Sequence, residues 1–127
     1  MPLFQSFRDL NAYKVALAVA HQIFQRTKKF PREEVYSLTS QIRRASRAVS
    51  SMIAEAWARR RYPAALISKL TAALGEAMET QNWLDHALGC AYISKEEFQV
   101  FDQEWQRVGA LVNGMIGKAD KFCKPET

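Results

Sequence analysis

Four segments of this chain repeat apolar residues every three or four positions, and helix-stopping residues stand between them. That period matches the α-helix, whose turn of 3.6 residues brings such positions onto one face. In the first segment Ala12, Val15, Ala16, Val19 and Ile23 form one stripe, flanked by Tyr13, Leu17, Ala20 and Phe24. Lys28 and Lys29 suit the negative end of a helix, and Pro31 pushes its predecessor out of helical geometry. The second segment carries Leu38, Ile42, Ala45, Val49, Met52 and Ala56, widened by Ile53 and Trp57, with the Ser37 hydroxyl expected to cap the Ser40 amide. Pro63 suits the first position of a third helix built on Leu66, Leu70, Ala73, Ala77, Leu84 and Leu88. Gly75 within it suggests a close backbone contact, and Gly89 suits the left-handed residue that closes a helix. Ser94 and Glu97 make a capping box, with Ile93 and Phe98 as its hydrophobic staple. Phe98, Phe101, Trp105, Val108, Val112, Met115, Ala119 and Phe122 then face one way. Helices are therefore expected over 11–29, 37–60, 63–89 and 95–121. Short connections make consecutive helices antiparallel neighbours, so the expected fold is all-α: an up-down-up-down four-helix bundle, one domain over 1–127.

Composition narrows the class. Five glycines and four prolines in 127 residues leave little room for a turn-rich β fold. No apolar run is long enough to cross a bilayer, and the first residues lack the charged-then-apolar order of a secretion signal. A cytoplasmic chain without membrane partners is expected. Cys90 and Cys123 stand far apart with no ligand spacing to another Cys or His, which reads as two reduced thiols. The formal net charge is +5, unevenly spread. Residues 1–64 hold twelve Lys/Arg against four Asp/Glu, and residues 65–127 hold six against nine. Such a division suits nucleic-acid binding or self-association through complementary faces.

The basic excess concentrates on the second segment, where six arginines and one acid lie between Arg43 and Arg61. Arg43, Arg44, Arg47, Arg59, Arg60 and Arg61 are the candidate phosphate contacts, because guanidinium forks hold phosphate bidentately. The alternative is a solvated face paired with the acidic third and fourth helices. Trp57 could stack a base, although its place on the apolar stripe favours packing. Contacts of this kind grip backbone and shape with little sequence readout. Gln41, Glu55 and Glu79 are polar residues at or near the apolar stripes; with Arg44 they are expected to form a structural network, since a buried carboxylate needs a partner. A di-iron bundle would need Glu-x-x-His, and the residues three before His21 and His86 are Ala18 and Trp83. Neither histidine has an acid placed to orient it, and no phosphate loop or nucleophile motif occurs. No catalytic residues, metal or cofactor are expected.

Five short patterns in register resemble the four-helix-bundle proteins encoded in intervening sequences of bacterial 23S ribosomal RNA genes. They are Phe7, Asp9 and Leu10; Phe30, Pro31 and Glu34; Leu38 to Ala45; Ile53 to Glu55; and Ala73, Gly75 and Glu79. The resemblance runs from about Phe7 to Phe122. It implies an antiparallel bundle assembling as a homopentameric ring, related to the pentameric accessory protein of diversity-generating retroelements. Ala56 and Trp57 stand where the family's second helix ends in glycine, so this helix is expected to run further. Glu76 replaces the small serine usual after the third-helix glycine. Residues and resemblance together suggest a non-enzymatic homo-oligomer that binds structured RNA, in preference to DNA, through a basic face and without sequence specificity. The alternative is an interaction scaffold whose charges serve ring assembly and docking of a protein partner.

Overall fold

The computed structural model describes residues 4–123, and all of its regular structure is helical. Helix α1 spans Asn11–Thr27, α2 Leu38–Ala58, α3 Pro63–Gly89, α4 Lys95–Gly117 and α5 Ala119–Cys123. Each long helix packs on the next, and α4 returns against α1. Contacts between ends set the directions. Arg26 near the end of α1 meets Glu97 near the start of α4, and Arg43 early in α2 meets Thr27 at the end of α1. Neighbouring helices are therefore antiparallel, as the short connections imply.

The core is built from the inward stripe of every helix: Ala16, Val19 and Ile23; Ile42, Val49 and Ile53; Leu66, Leu70 and Ala73; Trp105, Val108 and Val112. Each large side chain buried there contributes about 1.5–3 kcal/mol. The α2 seam differs from expectation at one place: Ile53 is fully buried, whereas Met52 is half-buried at its rim. Phe24 also stands at the rim, half-buried between α1 and α2.

Local chemistry sets the boundaries. Before α1, the Asp9 carboxylate accepts from the Gln5 and Ser6 amides, at 2.8 and 3.1 Å, while Leu10 is buried. Thr27 ends α1 two residues before the expected Lys29. Ser37 does not cap α2 with its hydroxyl. That hydroxyl donates instead to the Glu34 carboxylate at 2.6 Å, which itself accepts the Leu38 amide at 3.3 Å. A longer side chain from the preceding turn thus supplies the acceptor. The Ser94–Glu97 capping box is present, with Ile93 buried and Phe98 packed on the core.

Helix α3 ends in a Schellman turn: the Tyr92 amide donates to the Ala87 carbonyl and the Ala91 amide to Leu88, both at 2.9 Å. Ala91 takes the left-handed conformation at φ 60°, and Gly89 stays helical. The expected role of Gly89 therefore falls two residues later. A Cβ on Gly75 would meet nothing within 4 Å, so no close backbone approach explains that glycine. The α4 helix stops at Gly117 rather than running to 121, because Lys118 leaves helical geometry before α5 begins.

Candidate nucleic-acid interface

Successive residues on a helix point about 100° apart, so the arginine pair 43–44 cannot serve one neighbour. Arg43 and Arg47 lean toward α1, whereas Arg44 leans toward α3. The Arg44 guanidinium pairs with Glu76 at 3.4 Å and with Glu79, although half of its side chain stays exposed. Hydrogen bonds donated to Glu76, then to Glu79, raise its pKa further above the usual arginine value. Glu79 accepts a second bond from the Trp83 indole at 3.1 Å. Arg44 is thus half of an α2–α3 clasp.

The other two arginines meet no acid among the described residues. Arg43 donates through Nε to the Thr27 hydroxyl at 2.8 Å, and that buried hydroxyl donates to the Phe24 carbonyl at 3.0 Å. Three cations then surround the Phe24 ring: Arg43 at 4.6 Å from its centre, Arg47 at 5.0 Å and Lys28 at 5.0 Å. No two of these charges can therefore lie further apart than about 10 Å. At that separation each pair repels by about 0.4 kcal/mol in bulk water, rising to about 1.7 kcal/mol at an effective dielectric of 20. Each cation–ring contact returns about 0.5–1 kcal/mol. The ring therefore offsets part of the repulsion and leaves the local potential positive.

The second arginine group stands at the opposite end of α2. Helix α2 ends at Ala58, not at residue 60, so Arg59, Arg60 and Arg61 occupy the turn before α3. Arg60 folds back, donating to the Trp57 carbonyl at 2.9 Å and lying 4.2 Å over the Trp57 ring. Phe4 and Phe122 approach the same indole at 6.2 and 6.4 Å, so Trp57 is half-buried packing rather than an open stacking platform. Arg59 and Arg61 are exposed and meet no carboxylate among the described residues. From Arg47 to Arg59 the helical rise is about 18 Å. The outward stripe between them holds Ser51 and Glu55, and Glu55 pairs with Lys69 at 3.4 Å.

The expected polar network is therefore redistributed. Arg44 and Glu79 pair, Glu55 turns to Lys69, and Gln41 is exposed on α2 with no side-chain partner among the described residues. Both histidines are exposed, and no three His, Cys, Asp or Glu side chains gather as a metal site among the described residues. Among those residues, no helix is long and apolar enough to cross a membrane.

A model of the 23S rRNA-intervening sequence protein family matches residues 8–114. The chain belongs to that family. A crystal structure of an S23 ribosomal protein family member of unknown function, from Bacteroides thetaiotaomicron VPI-5482, is similar with a TM-score of 0.75 and 26% identity. The likeness covers 84% of this chain and 95% of that one. Among proteins of curated function, none matches significantly. Several family residues acquire physical roles here. Glu34 of the Phe-Pro-x-x-Glu pattern caps α2 and accepts the Tyr92 hydroxyl at 2.7 Å, tying two connections together across 58 residues of sequence. That bond pushes the Tyr92 pKa up to about 12. Glu76 becomes a partner of Arg44.

One further pair had no signal in the sequence beyond the capping box. Arg26 Nε donates to Glu97 at 2.5 Å, and its terminal nitrogen reaches the Tyr92 carbonyl at 2.9 Å. Arg26 first, then the Ser94 amide, lowers the Glu97 carboxyl to about 2. Arg26, Glu34, Tyr92 and Glu97 thereby lock the bundle end that holds the α1–α2 and α3–α4 connections.

Proposed function

We propose that this protein is a non-enzymatic, self-assembling nucleic-acid-binding bundle that grips structured RNA by its backbone without reading sequence. The observation that carries this reading is the pair of basic groups at the two ends of α2, Arg43 and Arg47 with Lys28 at one and Arg59 with Arg61 at the other. The one acid between them on α2, Glu55, is engaged by Lys69, while Arg43, Arg47, Arg59 and Arg61 have no carboxylate partner among the described residues. Such unneutralised guanidinium groups release counterions from a phosphate backbone. A structured RNA helix is the first ligand to try, with a DNA duplex as comparison. Family resemblance also supports a homopentamer, akin to the retroelement accessory protein; five copies would carry a formal +25, five times the +5 of one chain. Arg44 belongs to the α2–α3 clasp in this reading rather than to the RNA surface.

A second reading, a scaffold docking protein partners, is favoured by the outer face of α3. From Ala64 to Asn82 its exposed positions are Ala64, Ser68, Thr71, Ala72, Gly75, Met78 and Asn82, with no charge. Charge-free helix surface of that length suits contact with protein better than with phosphate.

Filter binding across a salt series separates the readings. About four or five phosphate contacts per protomer give a log–log slope near −4 on duplex. Arg43→Gln with Arg47→Gln is expected to weaken binding at least tenfold, while Arg44→Gln leaves it within about twofold. Absence of RNA binding at low salt leaves the scaffold reading standing alone.

A further inference from the structure

Most basic side chains on a protein surface are separate and mobile, whereas the cluster at Phe24 is convergent and partly held in place. Arg43 cannot swing freely, because Nε is bound to Thr27 and Thr27 is anchored to the Phe24 carbonyl. One of its terminal nitrogens stands 3.5 Å from that same carbonyl, and Arg47 and Lys28 approach the same Phe24 ring. Arg47 and Lys28 are exposed, so this cluster is reachable from solvent. Glu97 is committed to Arg26, and Glu76 and Glu79 to Arg44, and no carboxylate pairs with Arg43, Arg47 or Lys28 among the described residues.

We propose that the Arg43–Arg47–Lys28 cluster is a seat for the terminal phosphate of an RNA strand. The inference rests on the nucleic-acid reading above and specifies which part of the strand this end of α2 holds. The charge count favours a terminus. A backbone diester brings one negative charge to three converging cations, whereas a terminal monoester brings close to two at neutral pH, with three acceptor oxygens. Backbone diesters suit cations strung along a track, whereas these three stand around one ring. A strand anchored at Phe24 meets Arg59 and Arg61 after about 18 Å, roughly five nucleotide steps of a duplex strand. A phosphorylated side chain on a protein shares the monoester chemistry but has no backbone charge for that second group to hold.

Anisotropy with one internally labelled RNA hairpin tests the assignment. It is prepared with a 5′-phosphate, with a 3′-phosphate, and with hydroxyls at both ends. At physiological salt the wild-type protein should bind one phosphorylated form at least fivefold tighter than the hydroxyl form. Arg47→Gln and Thr27→Val should bring that ratio toward one while the hydroxyl form loses much less, with circular dichroism melts reporting that both variants fold. Thr27→Val is informative because it keeps the side-chain shape and removes the hydroxyl that accepts from Arg43 and donates to the Phe24 carbonyl, so Thr27 acts as a positioning residue. Equal affinity for all three RNAs would overturn the terminal-phosphate seat and leave the broader RNA reading intact. A ratio that survives in both variants would also overturn it, as would a phosphoserine peptide that competes as well as the phosphorylated RNA. No binding of any RNA would remove the proposed function and the seat together.

Discussion

Removing the Glu97 side chain perturbs two structures at once, and their contributions can be separated. The carboxylate accepts the Ser94 amide at 3.0 Å as part of the α4 capping box, and it pairs with Arg26 across the α1–α4 seam. A lost cap costs about 1 kcal/mol. The pKa displacement, from 4.5 to about 2, would correspond to roughly 3 kcal/mol for a fully buried group. Glu97 is 38% exposed, so solvent screening brings the ion-pair part to about 1 kcal/mol or less. Glu97→Ala is therefore expected to lower unfolding free energy by about 1.5–2 kcal/mol at pH 7. Glu97→Gln retains an acceptor that can close the capping box and should lose only the ion-pair share. The pH dependence has a definite sign. The folded pKa lies below the unfolded one, so this stability is present above about pH 4.5 and disappears as pH falls through about 2. Urea unfolding at pH 7 and near pH 2, at matched protein concentration, measures all three proteins. A Glu97→Ala penalty as large near pH 2 as at pH 7 would refute the electrostatic part. Equal penalties for Ala and Gln at pH 7 would refute the capping part.

Two other expectations follow from the same geometry. Ala91→Gly should stabilise the chain by about 0.5–1 kcal/mol in urea unfolding, because a Cβ at φ 60° is strained and glycine's extra unfolded-state freedom takes back part of the gain. If the uncharged face of α3 is the contact between copies, Met78→Glu should shift light-scattering mass toward that of a single chain; Met78 is 64% exposed, so folding should survive. An unchanged assembly would place the contact elsewhere.

The apolar period and its punctuation were enough to derive four helices, because both act within a few residues. Pro63 and Gly89, the expected limits of the third helix, are its observed limits. The Ser94–Glu97 box needed only its own four residues to be recognised. The α3 end was harder to place, since the left-handed residue is set by where the last backbone hydrogen bonds close, and that fell on Ala91. Which basic side chains are free could not be read from the chain at all. Arg43, Arg44 and Arg47 are close in sequence and alike in chemistry, yet the direction of each around α2 sends one to Glu76 and Glu79 and two to Phe24. Arg26 and Glu97 are 71 residues apart, and Glu34 and Tyr92 are 58. Such pairs exist only after packing fixes how each helix is rotated against its neighbours. Sequence alone determined where this protein is helical and which stripes are apolar, through local sterics and capping. Tertiary packing alone decided which charges are spent inside the bundle and which remain available, because neutralising a charge requires a partner within a few ångströms, wherever in the chain that partner lies.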